Sequence, residues 1–224
     1  MASDLKPIKL YGGVLGPNPK KVAIILEELN LPFEREYIDF ANVKTPDYEA
    51  VNPNGRLPAI TDPNTGITLW ESGAIIEYLI SKYDKANKLS FPEGRTESYH
   101  VKQWFYFQVS GQGPYYGQAY WFKNSHPEKL QSAIDRYVKE IHRVSKVLDK
   151  WLEKREWLVG DKCTYADLAF IPWQTTVPFA TGDAFDLVKE FPNVHAWMER
   201  MKGRPAVSKI LQEADEKRAA QAKK

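Results

Sequence analysis

The chain has 224 residues, 43% apolar and 13% aromatic, enough to bury a sizeable core in one large domain or two small ones. Its 31 Lys and Arg against 29 Asp and Glu leave a formal charge of +2, with the signs interleaved, which argues against a general nucleic-acid binder. One cysteine excludes a disulfide framework and a cysteine-rich metal site, and no apolar run approaches the roughly 18 residues of a membrane span. The stretch "MASDLKPIKL" lacks the apolar core of a signal peptide, so a reducing, cytoplasmic setting is expected.

"IKLYGG" reads as a short strand ending in glycines. Val22, Ile25, Leu26 and Leu29 then recur at the spacing of an amphipathic helix, which Pro32 stops. "EREYIDF" follows as a second strand. "RLPAIT" and "ITLW" flank "DPNTG", a hairpin turn by its Pro, Asn and Gly, and "ESGAIIEYLISKY" reads as a helix. The order β-α-β-loop-β-β-α fills about the first 84 residues, and the polar "DKANKLSFPEG" reads as a linker. From about Arg95 onward the pattern is helical. Leu130, Ile134, Tyr137, Ile141, Val144, Leu148 and Trp151 form the core-facing stripe of one long helix. "TYADLAF" opens another, with Thr164 as cap and Asp167 in its first turn. Two domains are expected, over 1–87 and 94–224.

The loop "YGGVLGPNPKK" has the composition of an anion holder at a helix start. Asn18 followed by Pro19 reads as N-cap and first helical residue. A capping Asn accepts a backbone N–H with its oxygen and keeps its amide NH₂ for another acceptor. Lys20 and Lys21 then fall in the first turn, where a cation costs roughly 0.3–1 kcal/mol. The loop matches neither G-x-G-x-x-G nor a P-loop. A thiolate fits better: a free thiol has a pKa of about 8.5, lowered by helix N-termini and donors.

Pro58 interrupts the strand that begins "RLP", leaving the Leu57 backbone to pair with an extended peptide. Ser72, before Gly73 and an apolar helix, reads as a cap able to bind a carboxylate, and Glu71 beside it can accept from an ammonium. Either these two residues only start a helix, or they read a ligand carrying a carboxylate, an ammonium and a peptide backbone. The four histidines have no metal-ligand spacing, no metal is expected, and "VSGQGP" is not a nucleophile elbow. Cys163, just before a helix start, reads as structural.

Across nearly the whole chain, "LYGG…PNPKKVAIILEEL", "YEAVNPNGRLPAI", "LWESGAIIEYLISKY", "WLVGDKCTYADLAFIPW" and "RPAV" resemble the glutathione transferase superfamily. "VNPNGRLPAITD", "FQVSGQGPYYGQA" and "SAIDRYVKEIHRV" are most like the fungal and bacterial branch that includes the nu class and the transferase-like domain of the yeast nitrogen-regulation prion protein. The resemblance implies a thioredoxin-like α/β N-terminal domain, an all-α C-terminal domain and a homodimer. It implies that Leu57 pairs with the glutathione backbone before a cis-Pro58, that Glu71 and Ser72 hold the γ-glutamyl group, that Arg56 lies nearby and that Asn18 faces the thiol. Val43 stands where relatives offer a polar side chain to the glycine end, and Lys44 is its substitute. Gly16 stands where some bacterial relatives carry a threonine that donates to sulfur.

Some classes use a tyrosine near the end of the first strand. Tyr11 shares a face with Lys9, opposite Ile8 and Leu10, which does not fix its direction toward the site. The aromatics of "GPYYGQAYWF" either pack between domains or line a second-substrate pocket through Tyr116, Tyr120, Trp121 and Phe122, with Leu15 and Gly16. The function implied is a glutathione-dependent transferase with glutathione as co-substrate, able to attack an electrophile, a peroxide or a disulfide. The alternative is a non-catalytic glutathione-binding regulator on the same fold.

Overall fold

Four short strands form the sheet at the start of the chain: β1 (Ile8–Tyr11), β2 (Phe33–Glu36), β3 (Ala59–Asp62) and β4 (Ile67–Trp70). A computed structural model describes residues 5–184 and 186–222. The strand order is β2-β1-β3-β4, with β1 parallel to β2 and antiparallel to β3, and β3 antiparallel to β4. Ile8, Leu10 and Ile60 are buried on one face, while Lys9, Tyr11 and Thr61 share the other, as strand alternation requires. The second strand ends at Glu36, short of the "EREYIDF" expected from composition.

Helices α1 (Pro17–Glu28), α2 (Pro46–Glu49) and α3 (Ser72–Tyr83) complete the thioredoxin-like arrangement, with α1 and α3 packed on each other and on the sheet. An apolar stripe along one face was the expectation for α1. Instead Val22, Ala23, Ile24, Ile25 and Leu26 are all buried, and so are Lys20, Lys21 and Glu28. The second cover is α11 (Pro205–Ala222), which packs on α1 through Val207, Ile210 and Ala214. Arg204 grips the buried Glu28 carboxylate with two parallel bonds of 2.7 and 2.8 Å, Lys209 reaches Glu27 at 2.6 Å, and Arg35 reaches Glu213 at 2.9 Å. Forked arginine–carboxylate pairs of this kind add orientation as well as attraction.

Accordingly the chain divides into a unit running to Asn87 together with the residues from Gly203 on, and a second unit spanning Lys88–Lys202. The break falls inside the expected linker. The second domain, expected over 94–224, ends near Lys202, because the apolar side of α11 is satisfied by α1.

The second unit is all helical: α4 (Thr96–Phe107), α5 (Gly113–Asn124), α6 (Gln131–Leu152), α7 (Tyr165–Gln174), α8 (Val177–Thr181), α9 (Leu187–Glu190) and α10 (Pro192–Lys202). A π-helical turn, Gln108–Gln112, joins α4 to α5. Ile141, Val144 and Leu148 of the predicted α6 stripe are buried, while Leu130 and Trp151 at its ends are exposed. The capping box of α7 forms as its sequence suggests. The buried Asp167 carboxylate accepts from the Thr164 N–H and hydroxyl at 2.8 and 2.7 Å, from the Leu158 N–H at 2.9 Å and from the Trp197 indole at 3.0 Å. Burial pushes this carboxyl up, against the four donors that favour its charge.

Gly12 closes β1 at φ 134°, and a β-carbon there would lie 2.9 Å from Cγ of Pro19. Gly12→Ala is therefore expected to cost about 1–3 kcal/mol, read as a lower urea midpoint at unchanged slope; an unchanged midpoint would show that the turn relaxes freely.

Candidate functional site

Two prolines decide where α1 begins. The first i to i−4 bond is donated by the Lys20 N–H to the Gly16 carbonyl at 3.1 Å, so Pro17 and Pro19 both fall in the turn whose N–H groups have no helical acceptor. Gly16 is the N-cap and Asn18 the second helical residue, which corrects the expectation that Asn18 caps the helix. The cause is Pro17, whose fixed φ suits the first helical position. Asn18 is half-buried in this turn. A β-carbon on Gly16 would meet Cδ of Pro19 at 3.1 Å, a tight fit for a side chain there.

Gly12 marks the point where three segments meet. Its missing β-carbon would lie against Pro19 of α1 and, at 3.6 Å, against Cβ of Leu57. The Leu57–Pro58 bond is cis. The loop before it is held by its own polar groups: the Tyr48 hydroxyl and the Asn52 amide both donate to the Arg56 carbonyl, at 2.8 and 2.6 Å. Lys44 donates to the Asn54 carbonyl at 2.8 Å, passing over Gly55 at φ 56°. A β-carbon on Gly55 would lie 2.7 Å from the Lys44 ammonium and 2.6 Å from the Val43 carbonyl, so only glycine admits this crossing. Lys44, Arg56 and Leu57 are thus gathered on one loop.

The start of α3 differs in detail from expectation. Glu71 is the N-cap, with φ 68°, and Ser72 is the first helical residue rather than the cap. The first i to i−4 bond runs from the Ile75 N–H to the Glu71 carbonyl at 2.9 Å. The N–H groups ahead of it lie in the first turn, the electropositive end of the helix. Electrostatically this corner is linked to α1. Lys21, only 2% exposed, is pulled down by burial to about 7, with the charge of Glu71 opposing that pull. Lys20, equally buried, is pulled down to about 8 by burial and by Arg218, while Asp215 opposes.

Comparison with known proteins places this geometry. Residues 16–82 match the family described as glutathione S-transferase, N-terminal domain, and residues 113–205 match its C-terminal domain. The chain belongs to the glutathione S-transferase family. It is 53% identical over 219 residues to the glutathione S-transferase-like protein gedE of Aspergillus terreus, covering 93% of this chain and 96% of that one. It is 38% identical to the protein URE2 of Debaryomyces hansenii, covering 90% of this chain and 77% of the other. Among solved structures, the glutathione transferase URE2P8 of Phanerochaete chrysosporium with oxidized glutathione superposes with a TM-score of 0.91 at 40% identity, over 97% of this chain and 99% of that one.

Two of the residues singled out in the sequence sit differently. Tyr116 is 0% exposed; its hydroxyl lies 3.3 Å from Oε1 of Gln174, 3.4 Å from Oγ of Ser145 and 3.5 Å from the Ile141 carbonyl. It is a core residue of the second unit, a correction to its assignment as a pocket wall. Tyr11 points its hydroxyl at Oγ1 of Thr61, 3.4 Å away, with its ring 6.1 Å from that of Tyr48. It lies on the sheet face opposite Ile8 and Leu10. Tyr120 and Trp121 are exposed, and the Phe122 ring is stacked on His126 and Tyr137. Leu15 and Gly16 are half-buried at the start of α1. Among the described residues no group of three His, Cys, Asp or Glu could hold a metal, and no helix is long and apolar enough to cross a membrane. Sequence reasoning missed Lys21 as an interior group, although two lysines in a first helical turn were the signal available.

Both lysine ammoniums sit below their ordinary 10.5, so between about pH 7 and 10 the unfolded chain holds protons that the folded chain has shed. Stability therefore rises with pH across that window, and the penalty is full below about 7. Urea unfolding at about pH 7 and about pH 9 is expected to give a higher midpoint at the upper pH, by a margin that shrinks in the Lys20→Met, Lys21→Met double variant. Equal pH dependence in both proteins would show that these amines are not the source.

Proposed function

We propose that this chain is a glutathione transferase that holds the glutathione thiolate at the first turn of α1 for attack on an electrophile. The observation that carries the reading is the meeting of the α1 first turn and the Leu57–Pro58 segment at Gly12, in one unit with α3, which opens at Glu71 and Ser72 and packs on α1. In this reading the Leu57 backbone pairs with the cysteinyl residue. Ser72 and the first N–H groups of α3 bind the γ-glutamyl carboxylate, Glu71 accepts from its ammonium, and Lys44 and Arg56 serve the glycine end. Asn18, together with the N-terminus of α1, stabilises the sulfur anion. Tyr11 has a secondary claim as thiol donor, against which its contact with Thr61 weighs. Leu15 and Gly16, at the start of α1, border the sulfur in this reading. The protein acts as a cytoplasmic homodimer in this reading.

The thiolate displaces a leaving group from carbon, forming a C–S bond as, for example, chloride departs. The same anion can attack a disulfide: one thiol leaves, and a second glutathione then resolves the mixed disulfide to oxidized glutathione. Oxidized glutathione, held in the URE2P8 structure, is the product of this second reaction. With a hydroperoxide the thiolate attacks the terminal oxygen, the O–O bond breaks and the alcohol leaves; a second glutathione then displaces water from the sulfenic acid to give oxidized glutathione. The loop from Tyr11 to Lys21 has no cysteine, so the sulfur in each case is glutathione's own. The resemblance to URE2 supports a second reading, a regulator that binds glutathione without turnover.

Assays with 1-chloro-2,4-dinitrobenzene, a hydroperoxide and bis(2-hydroxyethyl) disulfide separate these readings; tight glutathione binding with no turnover in any of them favours the regulator. Asn18→Ala is expected to raise the pKa of the bound thiol by about one unit, equivalent to ~1.4 kcal/mol, and to lower kcat/KM about tenfold at neutral pH. Unchanged thiol titration and kinetics would remove Asn18 from the site.

A further inference from the structure

We propose that Tyr37 is a positioning residue for the loop 12–16 that leads into α1: its ring braces Gly13, and α11 holds that ring through Lys217. This rests on the reading that the glutathione sulfur lies at the first turn of α1. Gly12 and Gly13 follow β1, and Tyr37 follows β2, so loop and ring leave the same end of two paired parallel strands. The Gly12 N–H donates to the Glu36 carbonyl at 2.9 Å, which ties the two exits together. A β-carbon on Gly13 would lie 3.5 Å from Cδ1 and 3.7 Å from Cε1 of Tyr37. The ring is therefore packed beside the Gly13 backbone, one residue from the point where Gly12 meets Pro19 and Leu57.

Gly13 differs from its neighbour. Gly12 needs its positive φ, whereas Gly13 lies outside that region, so backbone conformation does not call for glycine there. The absent side chain is what lets the Tyr37 ring approach; an alanine would just touch it, and a longer side chain would compete for its place. Three glycines in the five residues 12–16 make this loop costly to order. An anion site works only if its donors are in place before the charge develops. A ring held against the loop supplies that order from outside.

The support behind Tyr37 comes from α11. Its contacts advance in order: Lys209 to Glu27 at 2.6 Å, Glu213 to Arg35 at 2.9 Å, and the Lys217 ammonium over the Tyr37 ring, 5.5 Å from its centroid. Four helical residues rise about 6 Å and two strand residues about 6.6 Å, so Glu213 and Lys217 keep step with Arg35 and Tyr37. Arg35 is the inner rung, its side chain 9% exposed, and Tyr37 the outer one, 59% exposed. A cation over a tyrosine face is attracted by the ring's electron density, which fixes the ring's direction as well as its place. Through this one ring α11 reaches the loop that opens α1.

Hydrogen exchange in the unliganded full-length protein and ultraviolet titration of the bound glutathione thiol test the brace and its role separately. In Tyr37→Ala the amides of residues 12–16 are expected to exchange about tenfold faster. The melting temperature is expected to stay close to the parent's, because the lost ring is mostly exposed. The pKa of the bound thiol is expected to rise by about half a unit and kcat with 1-chloro-2,4-dinitrobenzene to fall about threefold, with KM for glutathione unchanged. Tyr37→Phe keeps the ring and is expected to match the parent throughout. Lys217→Met is expected to give a smaller change in the same direction, and none on top of Tyr37→Ala, because it acts through the ring. If the two losses add, Lys217 acts by its own charge and the link through Tyr37 is overturned. Loop exchange in Tyr37→Ala equal to the parent's overturns the brace, whatever glutathione does. Faster exchange with an unshifted thiol overturns the positioning role and leaves the glutathione reading standing. If the parent's bound thiol titrates as free glutathione does, the thiolate reading of α1 fails, and the positioning role with it.

Discussion

Enclosure of α1 is the constraint on which the first unit depends. The sheet and α3 cover one side of this helix, and α11 covers another, so residues that an amphipathic surface helix would show to water lie in the interior. That enclosure explains why the last helix of the chain belongs with the first strands. It also explains the ion pairs that dock α11, since Glu28 cannot be left buried without the Arg204 fork. The start of α1 is fixed in turn by its contact with Gly12, so a backbone turn, a helix terminus and the Leu57 segment share one location.

The same enclosure governs the electrostatics. Two lysines in a first helical turn are unfavourable on a surface, and burial raises that cost further. The structure relieves it by lowering the proton affinity of both amines, to about 8 and about 7. Near neutral pH this corner therefore carries less positive charge than the sequence count suggests.

Much of this was legible in the sequence wherever a signal was local. The hairpin between β3 and β4 follows from "DPNTG", the capping box from Thr164 and Asp167, and the long helix from its three-and-four spacing. The turn at "NPNG" before Arg56 holds Lys44 and the Arg56 carbonyl in place. The helix starts were legible only to within two residues. Pro17 and Ser72 each compete with a neighbour for the first helical position, and cap chemistry alone does not rank them. Tyr116 was misjudged because an aromatic near a glycine-rich turn looks the same whether it lines a pocket or fills a core. Its hydroxyl finds Gln174 and Ser145, which lie far away in sequence.

By itself, then, the sequence determined the order of elements and the separation into an α/β part and a helical part. These depend on spacing, turn chemistry and motifs within a few residues of one another. Tertiary structure decided which side of each element is buried. It put α11 on α1, brought Lys21 into the charge of Glu71, and turned Tyr11 toward Thr61. The reason is physical: burial and charge coupling are set by neighbours distant along the chain, and a local pattern cannot name them.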